Sequence, residues 1–190
     1  MTISLIKKNS LKAWILASRP KTLTGASVPV AMGVVLAYVD NSHFFKIIPA
    51  VLCFLFAFIM QIDANFINDF FDYAKGVDNE KRLGPKRACA EGWVSASSMK
   101  RAIGFTTLFA CVVGLPLVIW GGLELIIIGA LCVLFCFLYT THLSFMGLGD
   151  LLVVVFFGIV PVCITYYIQL HTYTWYVFIS SVAYRHIIDT

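Results

Sequence analysis

The chain has 190 residues, of which 60% are hydrophobic, 15% aromatic and only 13% charged, with a formal net charge of +4. A mean hydropathy of +0.88 excludes a soluble globular domain of this length, and the chain reads as an all-α integral membrane protein surrounded by lipid, with no nucleic-acid partner expected.

In chain order, the N-terminus carries Lys7 and Lys8 but no short apolar core followed by a small-residue cleavage site, so the first segment is expected to be retained. "SLKAWILAS", ahead of Arg19 and Pro20, suits a short helix lying at the interface with Trp14 among its anchors. Six apolar segments follow, at 22–39, 47–71, 99–120, 123–139, 151–170 and 173–183. Most reach the roughly 20 residues that span about 30 Å of hydrocarbon as helix, while the last falls short. Pro29, Pro116 and Pro161 lie inside segments and predict local kinks. The six cysteines, Cys53, Cys89, Cys111, Cys132, Cys136 and Cys163, form no CxxC pair and read as packing residues.

Basic residues set the orientation. Lys7, Lys8, Lys12, Arg19 and Lys21 precede the first segment, Lys75, Lys81, Arg82, Lys86, Arg87, Lys100 and Arg101 fall between the second and third, and only Lys46 lies in the turn between. The positive-inside rule therefore places the N-terminus and a loop over 73–98 in the cytoplasm, and the chain in the plasma (inner) membrane.

The second segment ends in "QIDANFINDFFDYAKGVD", residues 61–78. At about 100° per residue, and taking Asn65 as zero, Gln61 falls near −40°, Asn68 near −60°, Asp69 near +40° and Asp72 near −20°, an arc of about 100°. Asp63 lies near 160°, off this stripe, and needs a different partner. A solvated helix end would account for Asn68 to Asp72, but not for Gln61 and Asn65 deeper on the same stripe, which predict a cavity wall. Carboxylates spaced i, i+3 with carboxamides beside them form an all-oxygen set suited to Mg²⁺ and a phosphate group. The basic loop around "RLGPKR" could grip the anion, although cytoplasmic loops are basic for topological reasons alone. Two other classes fit part of the pattern. A transporter would use Asp63, Asp69 and Asp72 for a coupling ion, and a non-enzymatic membrane fragment would use them for nothing.

The segment "QIDANFINDFFDYAKGVDNEKRLGPKRA", together with "RPKTL" at 19–23, "HLSFMGLGDLLVVVFFGIVPV" at 142–162 and "TYYIQ" at 165–169, resembles the UbiA superfamily of intramembrane prenyltransferases. The branch it is most similar to serves menaquinone synthesis. The resemblance implies a bundle of about nine transmembrane helices around a central cavity, six of them within these residues in a single transmembrane domain over 1–190 that is incomplete at its C-terminus. It implies transfer of a polyprenyl group from polyprenyl diphosphate to 1,4-dihydroxy-2-naphthoate, giving demethylmenaquinone, with Mg²⁺ as cofactor; another aromatic acceptor such as 4-hydroxybenzoate is the alternative. By position it implies Asp69 and Asp72 as catalytic residues, with Asp69, Asp72 and Asp78 as metal ligands. Asn68, Lys75, Arg82, Lys86 and Arg87 are then the diphosphate contacts, and Gln61 and Asn65 line the cavity. The family's second Asp-rich motif has no counterpart here, Asp189 is not assigned to it, and the similarity is expected to fade after Gln169. Little or no transfer is expected from the 190 residues alone.

Overall fold

A computed structural model describes residues 6–76, 86–141 and 149–188. Among them the regular structure is helical throughout: α1 (Leu11–Ser18), α2 (Leu23–Asp40), α3 (Ile47–Ala74), α4 (Ala96–Gly114), α5 (Val118–Gly121), α6 (Glu124–Thr141), α7 (Gly149–Val154), α8 (Val160–Leu170) and α9 (Trp175–Ile188).

The first of these is the short helix expected before Arg19. Ser10 caps it by accepting the Ala13 N–H at 3.3 Å, and Arg19 ends it in the left-handed region at φ 51°. Pro20 then opens a 3₁₀ turn over Pro20–Thr22, so "RPKT" acts as a hook that turns the chain from α1 into α2. Ala13 and Ala17, one turn apart, are buried against Phe66 and Ile67 of α3, and the Trp14 ring meets Phe66 edge-on at 5.6 Å.

The prolines act differently from one another. Pro29 is absorbed within α2, whereas Pro116 sits in a 3₁₀ turn, Leu115–Leu117, joining α4 to α5. Pro161 follows a π-helical turn, Val155–Ile159, between α7 and α8. Proline has no N–H to give to the carbonyl one turn back and its ring crowds that carbonyl, so the turn before it widens. Four helical runs, Leu11–Asp40, Ile47–Ala74, Ala96–Gly121 and Leu152–Leu170, are long and apolar enough to cross a bilayer, with Glu124–Tyr139 a shorter apolar helix. Large apolar side chains such as Phe105, Leu108, Val112, Ile119 and Ile127 point outward, a surface that water would penalise and lipid accepts. The chain is an integral membrane protein. The segment boundaries shift from those expected: α3 runs on to Ala74 and α4 begins at Ala96, so the connection between them is shorter than 73–98.

Successive long helices alternate in direction, and each end of the bundle is fastened by polar contacts. At the end holding α1, the Asn9 N–H donates to the Trp93 carbonyl at 2.7 Å and the Asn9 side chain accepts the Ser95 N–H at 3.2 Å. The N-terminal segment and the α3–α4 connection therefore share one face of the bundle. At the other end Gln169, only 2% exposed, reads the main chain of Lys46 twice. Its Oε1 accepts the Lys46 N–H at 2.8 Å and its Nε2 donates to the Lys46 carbonyl at 2.9 Å. Beside it, Tyr166 donates to Asp40 at 2.5 Å, and Tyr176 of α9 donates to the same carboxylate. Asp63 finds its partners on α4, where it accepts the hydroxyls of Thr106 and Thr107, the second at 2.7 Å.

Two glycines set how closely the helices pack. A methyl at Gly33 of α2 would lie 2.6 Å from the Val162 carbonyl oxygen and 2.9 Å from Thr165 Cβ on α8, and one at Gly114 would lie 2.9 Å from the Phe56 ring on α3. The backbone oxygen facing Gly33 cannot swing away, so Gly33→Ala is expected to separate α2 from α8 and cost about 1–3 kcal/mol. Gly104→Ala, where the added methyl meets nothing within 4 Å, is expected to be neutral or stabilising by less than about 1 kcal/mol. Thermal unfolding of both variants in detergent checks this, and equal midpoints would refute the close-packing account.

Candidate functional site

The site is set by the length of α3. Its 28 residues extend about 42 Å, some 12 Å more than a bilayer's hydrocarbon, so the last two turns emerge at the level of the head groups. Lys75 caps the helix and Gly76, at φ 67°, turns the chain away. The polar stripe of α3 starts deeper, at Gln61, and continues onto these last turns with Asn68, Asp69 and Asp72, and it divides along its length.

On one edge Gln61 and Asn68 line the central cavity. On the other, Asn65 and Asp69 are buried, 3% and 1% exposed. Asn65, expected as a cavity residue, instead donates to the Ser18 carbonyl and to Thr22 Oγ1, both at 2.9 Å, and so fixes the hook between α1 and α2 from behind the cavity wall. Its place near the middle of the arc brings it under the hook, where a carboxamide can satisfy a carbonyl that α1 leaves open at its end.

Asp69 is engaged more completely. Its Oδ2 accepts the Ala88 N–H at 2.7 Å and its Oδ1 the Cys89 N–H at 2.8 Å. These are the leading N–H groups of a compact turn in which the Glu91 N–H reaches the Arg87 carbonyl at 2.9 Å and the Val94 N–H reaches the Ala88 carbonyl at 3.1 Å. Ala88, Cys89 and Val94 enter the same core cluster as Ala13, Ala17, Met99 and Ile103. Arg87, the residue just before the anchored pair, is 7% exposed and forms an ion pair with Asp72, whose side chain is 18% exposed. Asp72 lies three residues beyond Asp69 on the same side of α3. Lys86 extends outward and pairs with Glu91 at 3.0 Å, and Lys75 is exposed. Asp78 and Arg82 lie outside the described residues.

The cavity has a volume of about 1140 Å³ and is lined by α2, α3, the α4–α5 junction, α6 and the α7–α8 run. Its walls are largely apolar and aromatic, with Phe56, Phe135 and Phe156 among them, and most of its polar groups sit toward the end where Lys21, Thr22, Thr24, Gln61 and Asn68 converge, with Thr165 farther in. Lys21, Thr22 and Thr24 had no site role in the sequence reading; the "RPKTL" motif that contains two of them was the signal available. Asn68 and Asp72, a turn apart, have the oxygen donors a hard cation takes. Asp69 does not fit that role, because both of its oxygens accept buried main-chain N–H groups. Among the described residues no three His, Cys, Asp or Glu side chains are grouped to hold a metal ion.

Comparison with known proteins agrees with this architecture. The 1,4-dihydroxy-2-naphthoate octaprenyltransferase of Escherichia coli (strain K12) is 35% identical over 170 residues, covering 85% of this chain and 54% of that protein. The protein of the same name from Mycobacterium tuberculosis (strain ATCC 25618 / H37Rv) is 31% identical over 178 residues, covering 92% and 60%. UbiA prenyltransferase domain-containing protein 1 of Homo sapiens is 28% identical over 174 residues, covering 83% and 47%. The chain thus spans about half the length of the curated relatives it matches. A solved structure described as digeranylgeranylglyceryl phosphate synthase superposes with a TM-score of 0.67 at 19% identity, over 92% of this chain and 59% of that one, and shows the same fold. Residues 26–189 match the UbiA prenyltransferase family, so the similarity runs past Gln169, where it was expected to fade, and the chain belongs to that family.

Proposed function

We propose that the chain takes part in transfer of a polyprenyl group from polyprenyl diphosphate to 1,4-dihydroxy-2-naphthoate, the chemistry named for its bacterial relatives. The observation that carries this reading is the division of the cavity: a long apolar chamber whose polar end meets the last turns of α3. Its volume exceeds the roughly 300–1,000 Å³ of ordinary small-molecule sites, which suits an isoprenoid tail with a charged head.

Asn68 and Asp72, with Asp78 of the same motif, would hold Mg²⁺, which when bound supplies positive charge to the diphosphate oxygens. Arg87 faces Asp72 and offers a planar fork of donors to the same group, with Lys75 nearer solvent. As the bond between the allylic carbon and oxygen breaks, the electron pair leaves with the diphosphate, and the Arg87 guanidinium stabilises that growing charge more than it stabilised the ground state. The allylic cation left behind is attacked by a carbon of the electron-rich acceptor ring, which then regains its aromaticity by releasing the carboxyl group as CO₂. Phe56, Phe135 and Phe156 line the cavity that would hold the isoprenoid tail, and the apolar wall excludes the water that would otherwise capture the cation.

In nanodiscs with radiolabelled polyprenyl diphosphate and 1,4-dihydroxy-2-naphthoate, the protein carrying this chain is expected to form prenylated product only with a divalent cation. Asp72→Asn should lower the rate by about a hundredfold or more. Product formed equally well in EDTA, or unaffected by Asp72→Asn, would refute this function.

We also propose that the face shared by the N-terminal segment and the α3–α4 connection is cytoplasmic, in the plasma membrane, since basic residues crowd it. Cys89 is buried and is a poor topology reporter, whereas Lys8 and His43 are exposed at opposite ends of the bundle. With the native cysteines replaced, His43→Cys in intact cells should react with a membrane-impermeant maleimide and Lys8→Cys should not. The reverse pattern would invert the orientation.

A further inference from the structure

Asp69 and Asp72 carry the same functional group three residues apart, but their surroundings differ in kind. Asp72 is partly exposed and its partner is a side chain, Arg87. Asp69 is 1% exposed, and its partners are two consecutive main-chain N–H groups, one to each oxygen. A carboxylate held this way satisfies the open donors of a buried turn, as a capping side chain satisfies the first turn of a helix, and presents no face to which a hydrated cation has access. The residue before those two N–H groups is Arg87. Fixing Ala88 and Cys89 to α3 therefore also fixes where the Arg87 side chain starts.

We infer that Asp69 is a positioning residue: its carboxylate fastens the turn that follows Arg87 to the end of α3 and thereby seats the Arg87 guanidinium against Asp72, facing the diphosphate group. The diphosphate part of this inference rests on the proposed prenyl-transfer function; the anchoring part does not. Asp69→Asn keeps one acceptor for one N–H but turns an amide donor toward the other, so it loosens the turn without removing side-chain volume.

Two measurements on the full chain in nanodiscs test the two parts. The first is alkylation of Cys89, which is 5% exposed within the anchored turn, compared with Cys53, 6% exposed in α3 away from it, with the other cysteines replaced. Asp69→Asn and Asp69→Ala are expected to raise the rate at Cys89 by about tenfold or more while Cys53 stays protected, because local opening of a buried turn exposes only its own groups. If the alanine variant also exposes Cys53, the asparagine variant decides. Cys89 as protected as in the wild type, or Cys53 opening with it in both variants, would overturn the anchor.

The second is a double-mutant cycle on affinity for farnesyl diphosphate in the presence of Mg²⁺. If Asp69 acts through Arg87, then Asp69→Asn and Arg87→Ala each weaken binding, and adding Asp69→Asn to Arg87→Ala costs less than about twofold more. Fully additive losses would overturn the positioning role, since a direct ligand or a general loss of structure does not depend on Arg87. Absence of farnesyl diphosphate binding by the wild-type chain would remove the prenyl-transfer reading, and the Cys89 rates would still decide whether Asp69 is the anchor.

Discussion

The structure depends on α3 being longer than the membrane is thick. A helix that ended with the hydrocarbon would leave its last carbonyls to the head groups and place no side chain beyond them. By continuing for two further turns, α3 carries a polar stripe out of the lipid into a region where other parts of the chain can reach it. Three separate pieces do so: the hook after α1, the turn after Arg87, and the cavity between α2, α6 and α8. The hook and the turn are irregular backbone near the membrane, and such backbone is tolerable only where protein groups satisfy its N–H and C=O groups. Asn65 and Asp69 provide that satisfaction from the one regular element within reach.

The far end of the bundle obeys the same constraint. Lys46 starts α3 without a side-chain cap, and its own N–H and C=O are both taken by the Gln169 carboxamide. Asp40, exposed at the end of α2, accepts the hydroxyls of Tyr166 and Tyr176 and so ties α2 to α8 and α9. With both ends fastened, Gly33 bringing the α2 and α8 backbones together and Gly114 making room for the Phe56 ring, the helices on the cavity's two sides are fixed relative to one another. The cavity then remains open because the surrounding frame is held at its ends, and its apolar lining is free to face a ligand.

How much of this was legible from the sequence follows from which signals are local. The apolar segments, the interfacial helix before "RP" and the polar stripe on α3 are periodic or compositional, and they appear close to where the pattern placed them, with boundaries shifted by a few residues. The family was legible too, because its motif is a run of neighbouring residues. What the stripe could not disclose was its division. Angles on a wheel place Asn65 within about 60° of Gln61 and Asn68, and Asp69 about 80° and about 100° from them. Whether a neighbouring helix or a cavity occupies a given angle is a tertiary fact, and residues 88 and 89 follow Asp69 by nineteen and twenty positions. Gln169 was likewise quoted only as part of a resemblance, since nothing near it in sequence indicates a bond across 123 positions.

The division of the stripe also explains why adjacent acids in one motif need not be interchangeable. A carboxylate that satisfies two buried main-chain donors is costly to move, because releasing it leaves all the partners without hydrogen bonds in a region that water does not reach. A partly exposed carboxylate paired with an arginine is different: it can take another partner of suitable charge, and solvent offsets part of the loss on the carboxylate's side while it does so. Asp69 and Asp72 occupy these two conditions on the same face of the same helix. On the proposed function, a site that binds and releases a multiply charged leaving group would use Asp72 and Arg87 as an exchangeable pair, held on a part that does not exchange. Asp69 supplies the fixed part, and the spacing of three residues places it directly beneath the pair it supports.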